Sequence, residues 1–226
     1  MRIKKKKGKW LVNILKTAAA VYLLMIMCRL IGDFYSGLNI AHRIPASEKW
    51  NLVVVNQWNE LPEDYTVELI ELSNSQKVDC RIYPYLQEMF DAARAEGVYP
   101  IVREGYRTTE EQQKLLDDKI QAYINQGYAK SRAKRMAKEW VAKPGTSEHQ
   151  LGLAVDINAD TFRCSEGDVY EWLDRNAHKY GFILRYPPAK QKITGISYEP
   201  WHYRYVGVEV AREIYEWDIC LEEYFE

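Results

Sequence analysis

With 226 residues, 47% of them hydrophobic and 28% charged, the chain has room for one ordinary domain with a buried core, plus an appendage. Its net charge of −1 is unevenly split: residues 1–29 hold eight Lys and Arg and no acid, which leaves −9 for the remainder. A body this acidic is a poor match for nucleic acid, whose phosphates need clustered Lys and Arg.

The chain opens on a basic tail, residues 1–9, followed by an apolar run whose core is Trp10 to Cys28. Nineteen residues of helix would cross most of a bilayer's hydrocarbon, roughly 30 Å thick, so 10–31 is expected to be a transmembrane anchor. Lys16 sits near the basic end, where its stem could snorkel. By the positive-inside rule the N-terminus is expected in the cytoplasm and the acidic body outside the cell. A cleaved signal peptide fits less well, because no small-x-small site follows the apolar run. Residues 32–49, with Pro45 and no clear period, read as a stalk, and 50–226 as the functional domain.

Within that domain, NLVVVN (51–56) predicts a strand, and NELPEDY after it a turn-rich loop. Ile82, Tyr85, Leu86, Met89, Phe90 and Ala93 recur at helical spacing, predicting a helix over 82–96 that Gly97 ends. VYPIV (98–102) predicts a short buried strand. Thr108 and Glu111 form a capping box, so a helix is expected from there to about Ile124. Ala133, Met136, Ala137, Trp140 and Val141 mark a further helix, stopped by Pro144-Gly145. Val169, Trp172, Leu173, Asn176 and Tyr180 mark another, closed by Gly181. FILRYP and WHYRYVG predict strands, and 207–217 a last helix. Helices and short strands alternate without regular βαβ order, so the class is α+β, a small antiparallel sheet flanked by helices with the transmembrane helix in front.

Cys28, Cys80, Cys164 and Cys220 form no CxxC pair, which argues against a cysteine-built zinc site. Cys28 falls in the apolar run, so Cys80, Cys164 and Cys220 allow at most one disulfide, of undecided pairing.

Two stretches carry chemistry. GTSEHQLGLAVDI (145–157) places His149 in a small-residue turn and Asp156 in an apolar strand, where an ionised carboxylate is costly without a cation. YEPWHYRYVG (198–207) places Glu199 three residues before His202. Either histidine alone would be an ordinary core or surface residue. Jointly, two imidazoles and a carboxylate suit zinc with a fourth position for water, and a further carboxylate can serve as general base. Alternation places Ala154 with Asp156 on one strand face and His202 with Arg204 on another. His178 and His42 read as structural or solvated.

SEHQLGLAVD fits Ser-x-His-x-x-Gly-x-Ala-x-Asp and EPWH fits Glu-x-x-His. Together, with LPEDY, EGYRTTEEQ and YGFILRYP, they resemble the VanY-type D-alanyl-D-alanine carboxypeptidases, whose fold is shared with hedgehog domains. The resemblance runs from about Asn51 to Val208. It implies Zn2+ held by His149, Asp156 and His202, Glu199 as catalytic base, and Arg107 as stabiliser of the oxyanion. It also implies that Ser147 and Gln112 hold the substrate, a peptidoglycan stem peptide ending in D-alanine. An L,D-carboxypeptidase, an endopeptidase, or a non-catalytic zinc-containing binding module are the alternatives it leaves open. Glu104 before GYR and the long basic segment 125–143 depart from the family pattern, and both bear on substrate preference.

Overall fold

The computed structural model describes residues 50–225, and these fall in the unit Glu48–Glu226. After a 3-10 turn at Trp50–Leu52 come strands β1 (Leu69–Glu71) and β2 (Lys77–Asp79), then helix α1 (Tyr83–Ala95) and strand β3 (Pro100–Glu104). Helices α2 (Thr109–Asn125) and α3 (Lys130–Ala137) form an arm before a 3-10 turn at Glu148–Leu151. The rest is β4 (Ala154–Ala159), α4 (Glu166–Asn176), a 3-10 turn at Ala177–Tyr180, β5 (Phe182–Leu184), α5 (Gln191–Thr194), β6 (His202–Tyr205), α6 (Val208–Trp217) and α7 (Leu221–Tyr224).

Strands β3, β4, β6 and β5 lie side by side in that order, every pair antiparallel, while β1 and β2 form a separate hairpin. Alternation along β4 and β6 divides the larger sheet. Val155, Ile157, Tyr203 and Tyr205 join Leu86, Met89, Phe90 and Ala93 of α1 and Val169, Trp172 and Leu173 of α4 in one core. Asp156 and His202 are the residues of opposite parity, paired directly across the two strands, with Ala154 opposite Arg204. The site is therefore the polar face of a sheet whose other face is the core.

The predicted capping box at Thr108 forms, and a second one, not predicted from the sequence, forms at Ser165. Thr108 opens α2 and Ser165 opens α4, each accepting from the backbone three residues on. The predicted strand at 51–56 does not form. Its Leu52 and Val55 are buried, but the carbonyls of Asn51 and Val53 accept from the Arg204 guanidinium at 3.0 and 2.9 Å instead of from a neighbouring strand. The strand expected at 98–102 runs two residues further, because pairing with β4 carries it to Glu104 opposite Asp156. Cys80, Cys164 and Cys220 are all free thiols.

The expected fold class needs correcting in its membrane part. Among the described residues no helix is long and apolar enough to cross a membrane. The longest, α2, has 17 residues and carries Glu110, Glu111, Lys114, Asp117 and Lys119 along its length. The apolar run 10–31, on which the anchor was expected, lies outside the described residues, as do the basic tail and His42. The fold is α+β with two small antiparallel sheets flanked by helices. The expected single-pass membrane placement, with cytoplasmic N-terminus and external domain, is corrected on the same finding and does not enter the functional reading.

Candidate active site

Residues 145–152 are tied down from several sides. The Gly145 N–H donates to Gln150 Oε1 at 2.8 Å, the Tyr65 hydroxyl to the Leu151 carbonyl at 2.9 Å, and the Asp79 N–H to the Gly152 carbonyl at 3.0 Å. Gly152 turns the chain into β4 with φ +72°, left-handed backbone in which any side chain would be strained, and a Cβ would also press on Asp79 and Val67. This turn lets buried His149 face Asp156.

The hairpin β1–β2, which the sequence reading missed, holds the other side. Lys77 accepts from the Tyr106 N–H at 2.6 Å and Gln76 Oε1 from the Gly105 N–H at 3.0 Å. A Cβ on Gly105 would collide with the Lys77 carbonyl, so the GYR segment can lie this close only with glycine there. The Gly105 carbonyl then sits 2.6 Å from His149 Nδ1. A carbonyl can only accept, so Nδ1 carries the ring proton and Nε2 presents its lone pair.

That lone pair faces another acceptor. His149 Nε2 lies 3.4 Å from Asp156 Oδ1, and His202 Nδ1 lies 3.1 Å from the same oxygen. The two rings meet edge to face with centroids 4.8 Å apart. Despite these approaches, His149 Nε2 and Asp156 Oδ1 are buried without a hydrogen-bonding partner. Among the described residues, His149, Asp156 and His202 bring one ligand atom each to within 4.8 Å of one another. Burial, with the charge of Arg107, pushes the His149 imidazolium down to about 4, so the ring is neutral. Burial alone would raise Asp156, but with His202 Nδ1 3.1 Å and the Arg107 guanidinium 3.5 Å from its oxygens the carboxyl is held below the usual range, so it is ionised. Neutral imidazole and carboxylate are the forms that bind a metal.

Glu199 enters from the turn before β6, with its Oε2 3.5 Å from His202 Nδ1. Burial raises its carboxyl to about 7 against the opposing pull of His202 and Arg107. Arg107 reaches across from the segment after β3: its Nη2 lies 3.5 Å from Asp156 Oδ2, and Nη1 donates to Gln112 Oε1 at 2.7 Å. Gln112 in turn donates to the Ala142 carbonyl at 2.7 Å, so both ends of its amide are used within the protein, and it acts as a brace for the guanidinium. Arg107 Nε remains a buried donor without a partner. Glu104 lies 4.0 Å from it, at the limit of pairing. Ser147 is buried and lines the same cavity of about 370 Å³ as Arg107, His149, Asp156, Glu199 and His202. All seven residues singled out in the sequence thus meet in one place.

Beneath the site runs a buried ionic chain that the sequence reading missed. Glu148 Oε1 is 2.8 Å from Arg185 Nε and 2.9 Å from Arg204 Nη1. Arg185 also grips Glu222 of α7 through both terminal nitrogens, at 2.8 and 2.7 Å. Burial would raise Glu148, but the two guanidiniums outweigh it and hold the carboxyl below its ordinary value. Arginines at alternate-face positions inside FILRYP and HYRYVG were the available signal. A larger cavity of about 470 Å³ lies between α4, β5 and α6, but its imidazole, His178, stacks on Tyr215 with centroids 3.7 Å apart and belongs to no group of three metal-capable side chains among the described residues. Chemistry rather than size selects the site.

Comparison with known proteins agrees with this geometry. Residues 75–208 match the family VanY: D-alanyl-D-alanine carboxypeptidase. A D-alanyl-D-alanine carboxypeptidase of Enterococcus faecalis is 59% identical over 177 residues, 78% of this chain, and the match spans 66% of that relative, just under two thirds. A crystal structure of a mutant of the vancomycin-resistance D,D-pentapeptidase VanY, in complex with Zn(II), superposes with TM-score 0.77 at 59% identity, covering 78% of this chain and 99% of that one. The structure of VanYB with D-alanine-D-alanine gives the same TM-score, 0.77, and identity, 59%, covering 77% of this chain and 97% of that one. With a family match over more than half its length and the same fold, the chain belongs to the VanY family of D-alanyl-D-alanine carboxypeptidases.

Proposed function

We propose that the chain is a zinc-dependent D,D-carboxypeptidase that removes the terminal D-alanine of peptidoglycan stem peptides, with residues 50–226 as the catalytic domain. The observation that carries this reading is the meeting of His149 Nε2 and Asp156 Oδ1, two buried acceptors 3.4 Å apart with no proton between them. A cation would satisfy both, and His202 completes a two-imidazole, one-carboxylate set that suits zinc. When bound, zinc supplies Lewis acidity, polarising the scissile carbonyl and making water a competent nucleophile near neutral pH.

The remaining work falls to the chain's own groups. Glu199, raised to about 7, takes a proton from the attacking water and returns it to the amine of the departing D-alanine. Arg107 keeps its charge at any working pH and offers its unpartnered Nε to the oxygen on which charge develops. Gln112 holds that guanidinium in place, and Ser147 lines the cleft where the peptide lies. A module that only bound a ligand would need neither group, and burying Glu199 as a carboxylate is costly. Enzymatic use explains both.

The test is incubation of the purified chain with a pentapeptide stem ending in D-alanine-D-alanine, with chelator and then with zinc restored. Mass spectrometry should show loss of a single D-alanine, abolished by chelation and recovered with zinc. Cleavage at a different bond would assign the L,D- or endopeptidase alternative, and no cleavage by zinc-loaded protein would overturn the enzymatic reading.

A further inference from the structure

The cavity that holds the site has a second wall, supplied by the α2–α3 arm, with Leu115, Lys119, Tyr123 and Trp140 on it. Gln112, Leu115, Lys119 and Tyr123 recur at helical spacing and so share one side of α2. Seven residues separate Gln112, at the catalytic end, from Lys119, which amounts to about 10 Å along the helix axis. An extended peptide advances roughly 3.3–3.6 Å per residue, so a substrate lying along this wall reaches Lys119 about three residues from the unit held beside Arg107.

Lys119 makes no ion pair with any of the described residues. The nearby Asp118 is 3.5 Å from Lys114. The ammonium of Lys119 instead stands over two rings, 5.4 Å from the centroid of Trp140 and 5.7 Å from that of Tyr123. Aromatic faces orient a cation but leave its full charge. Lys119 and Glu199 line the same cavity. Trp140 and Leu115 beside it are each 38% exposed, large apolar side chains at the mouth of a cleft. The surroundings carry the same sign. Residues 125–143 hold six Lys and Arg against the single acid Glu139, in a body that is otherwise strongly acidic. Lys130, Arg132, Lys134, Arg135, Lys138 and Lys143 are all exposed.

We propose that Lys119 is a specificity-determining residue of the peptide cleft: held between Tyr123 and Trp140, it binds a carboxylate that the stem peptide carries about three residues before the leaving D-alanine. Trp140 and Leu115 pack on the intervening residues, and the basic arm draws the anionic peptide toward the mouth. The inference rests on the peptidase reading for the direction of the substrate. It adds a preference for a free acid over the corresponding carboxamide at that one position.

The experiment separates the two claims by measuring binding in a protein that need not turn over. Zinc-loaded Glu199→Gln protein is titrated calorimetrically with two pentapeptides that differ only in a carboxylate or carboxamide at the stated position. The titration is repeated with Lys119→Gln and with Lys119→Arg added. The free acid should bind roughly three- to tenfold tighter. That preference should disappear in Lys119→Gln, persist in Lys119→Arg, and weaken as salt is raised. An acid preference of the same size in Lys119→Gln, or none in the Glu199→Gln background, overturns the assignment. Neither result touches the cleavage reading, which stands or falls on whether the parent protein releases D-alanine.

Discussion

His149 Nε2 and Asp156 Oδ1 stand 3.4 Å apart as two buried acceptors, because the only proton on the imidazole is committed to the Gly105 carbonyl. The pair is uncomfortable until a cation lies between them, and this makes metal content a direct probe of the site. His149→Ala and His202→Ala should each lose stoichiometric zinc while keeping most of the far-ultraviolet circular dichroism, since the core on the opposite sheet face does not involve either ring. Elemental analysis showing one zinc per chain in both variants would remove these residues from the ligand set.

Metal removal should also cost stability. A ligand that binds only the folded state stabilises it by mass action, about 4 kcal/mol at a thousandfold excess over its dissociation constant. Thermal melts of the parent with chelator should therefore fall well below those with zinc, and the same comparison on His202→Ala should show little difference. Equal shifts in the two proteins would place the stabilising metal elsewhere.

Replacing Glu199 separates binding from chemistry. Glu199→Gln should hold zinc and peptide yet lose about 10²–10⁴-fold in kcat, the usual contribution of a general acid-base group. A zinc-replete Glu199→Gln protein that trims stem peptides at the parent rate would exclude its role as base.

The raised Glu199 carboxyl has consequences of definite sign. As the proposed base it works as the carboxylate, so activity should fall on the acid side, and a cation bound beside it would draw the midpoint below about 7. For stability the sign is the reverse of a salt-bridged acid. A folded-state value above the unfolded one is favourable at low pH, and that benefit is lost as pH rises through about 7. Metal-free Glu199→Gln should accordingly be more stable than metal-free parent above neutral pH, on the order of 2–3 kcal/mol, with the difference vanishing in mild acid. Denaturant melts across the pH range give the answer.

Glu148 should show the opposite dependence. Its carboxyl is held low by Arg185 and Arg204, so its contribution is present above the ordinary carboxylate value and is lost as pH falls through its own lower one. Glu148→Gln leaves two buried guanidiniums with only Glu222 between them and should cost about 3–5 kcal/mol near neutral pH. The cost should shrink in acid, where the parent loses the same charge. A pH-independent difference would mean that packing, not charge, sets it.

Much of the site was legible because its residues are chemically conspicuous at short range. His149 and Asp156 share one motif, Glu199 and His202 another, and strand alternation put Asp156 and His202 on defined faces. The α2 boundary was legible for the same reason, since a capping box is a four-residue signal. What stayed hidden depends on partners distant in sequence. Arg185 finds Glu148 37 residues away, and nothing local distinguishes it from a surface arginine. Strands β1 and β2 have three residues each, too few for alternation to register. The 51–56 segment had the right composition for a strand, but Arg204 had claimed its carbonyls. Gln112 was expected to touch substrate, yet its amide is used within the protein, a distinction between holding a ligand and holding Arg107 that only coordinates reveal.

The hold of Arg185 on Glu222 works as a buckle between distant parts of the domain. Glu222 lies in α7, the last element of the described fold, and its carboxylate is the second partner of the arginine whose first partner, Glu148, adjoins His149. Asn56, near the start of the described fold, donates to the same carboxylate at 3.0 Å. One carboxylate thus fastens the start and the last helix of the described fold to the arginine that underlies the site. Loosening α7 should therefore slacken the support beneath His149 and the start of the described fold in one event, so that a substitution at Glu222 is felt at three places at once.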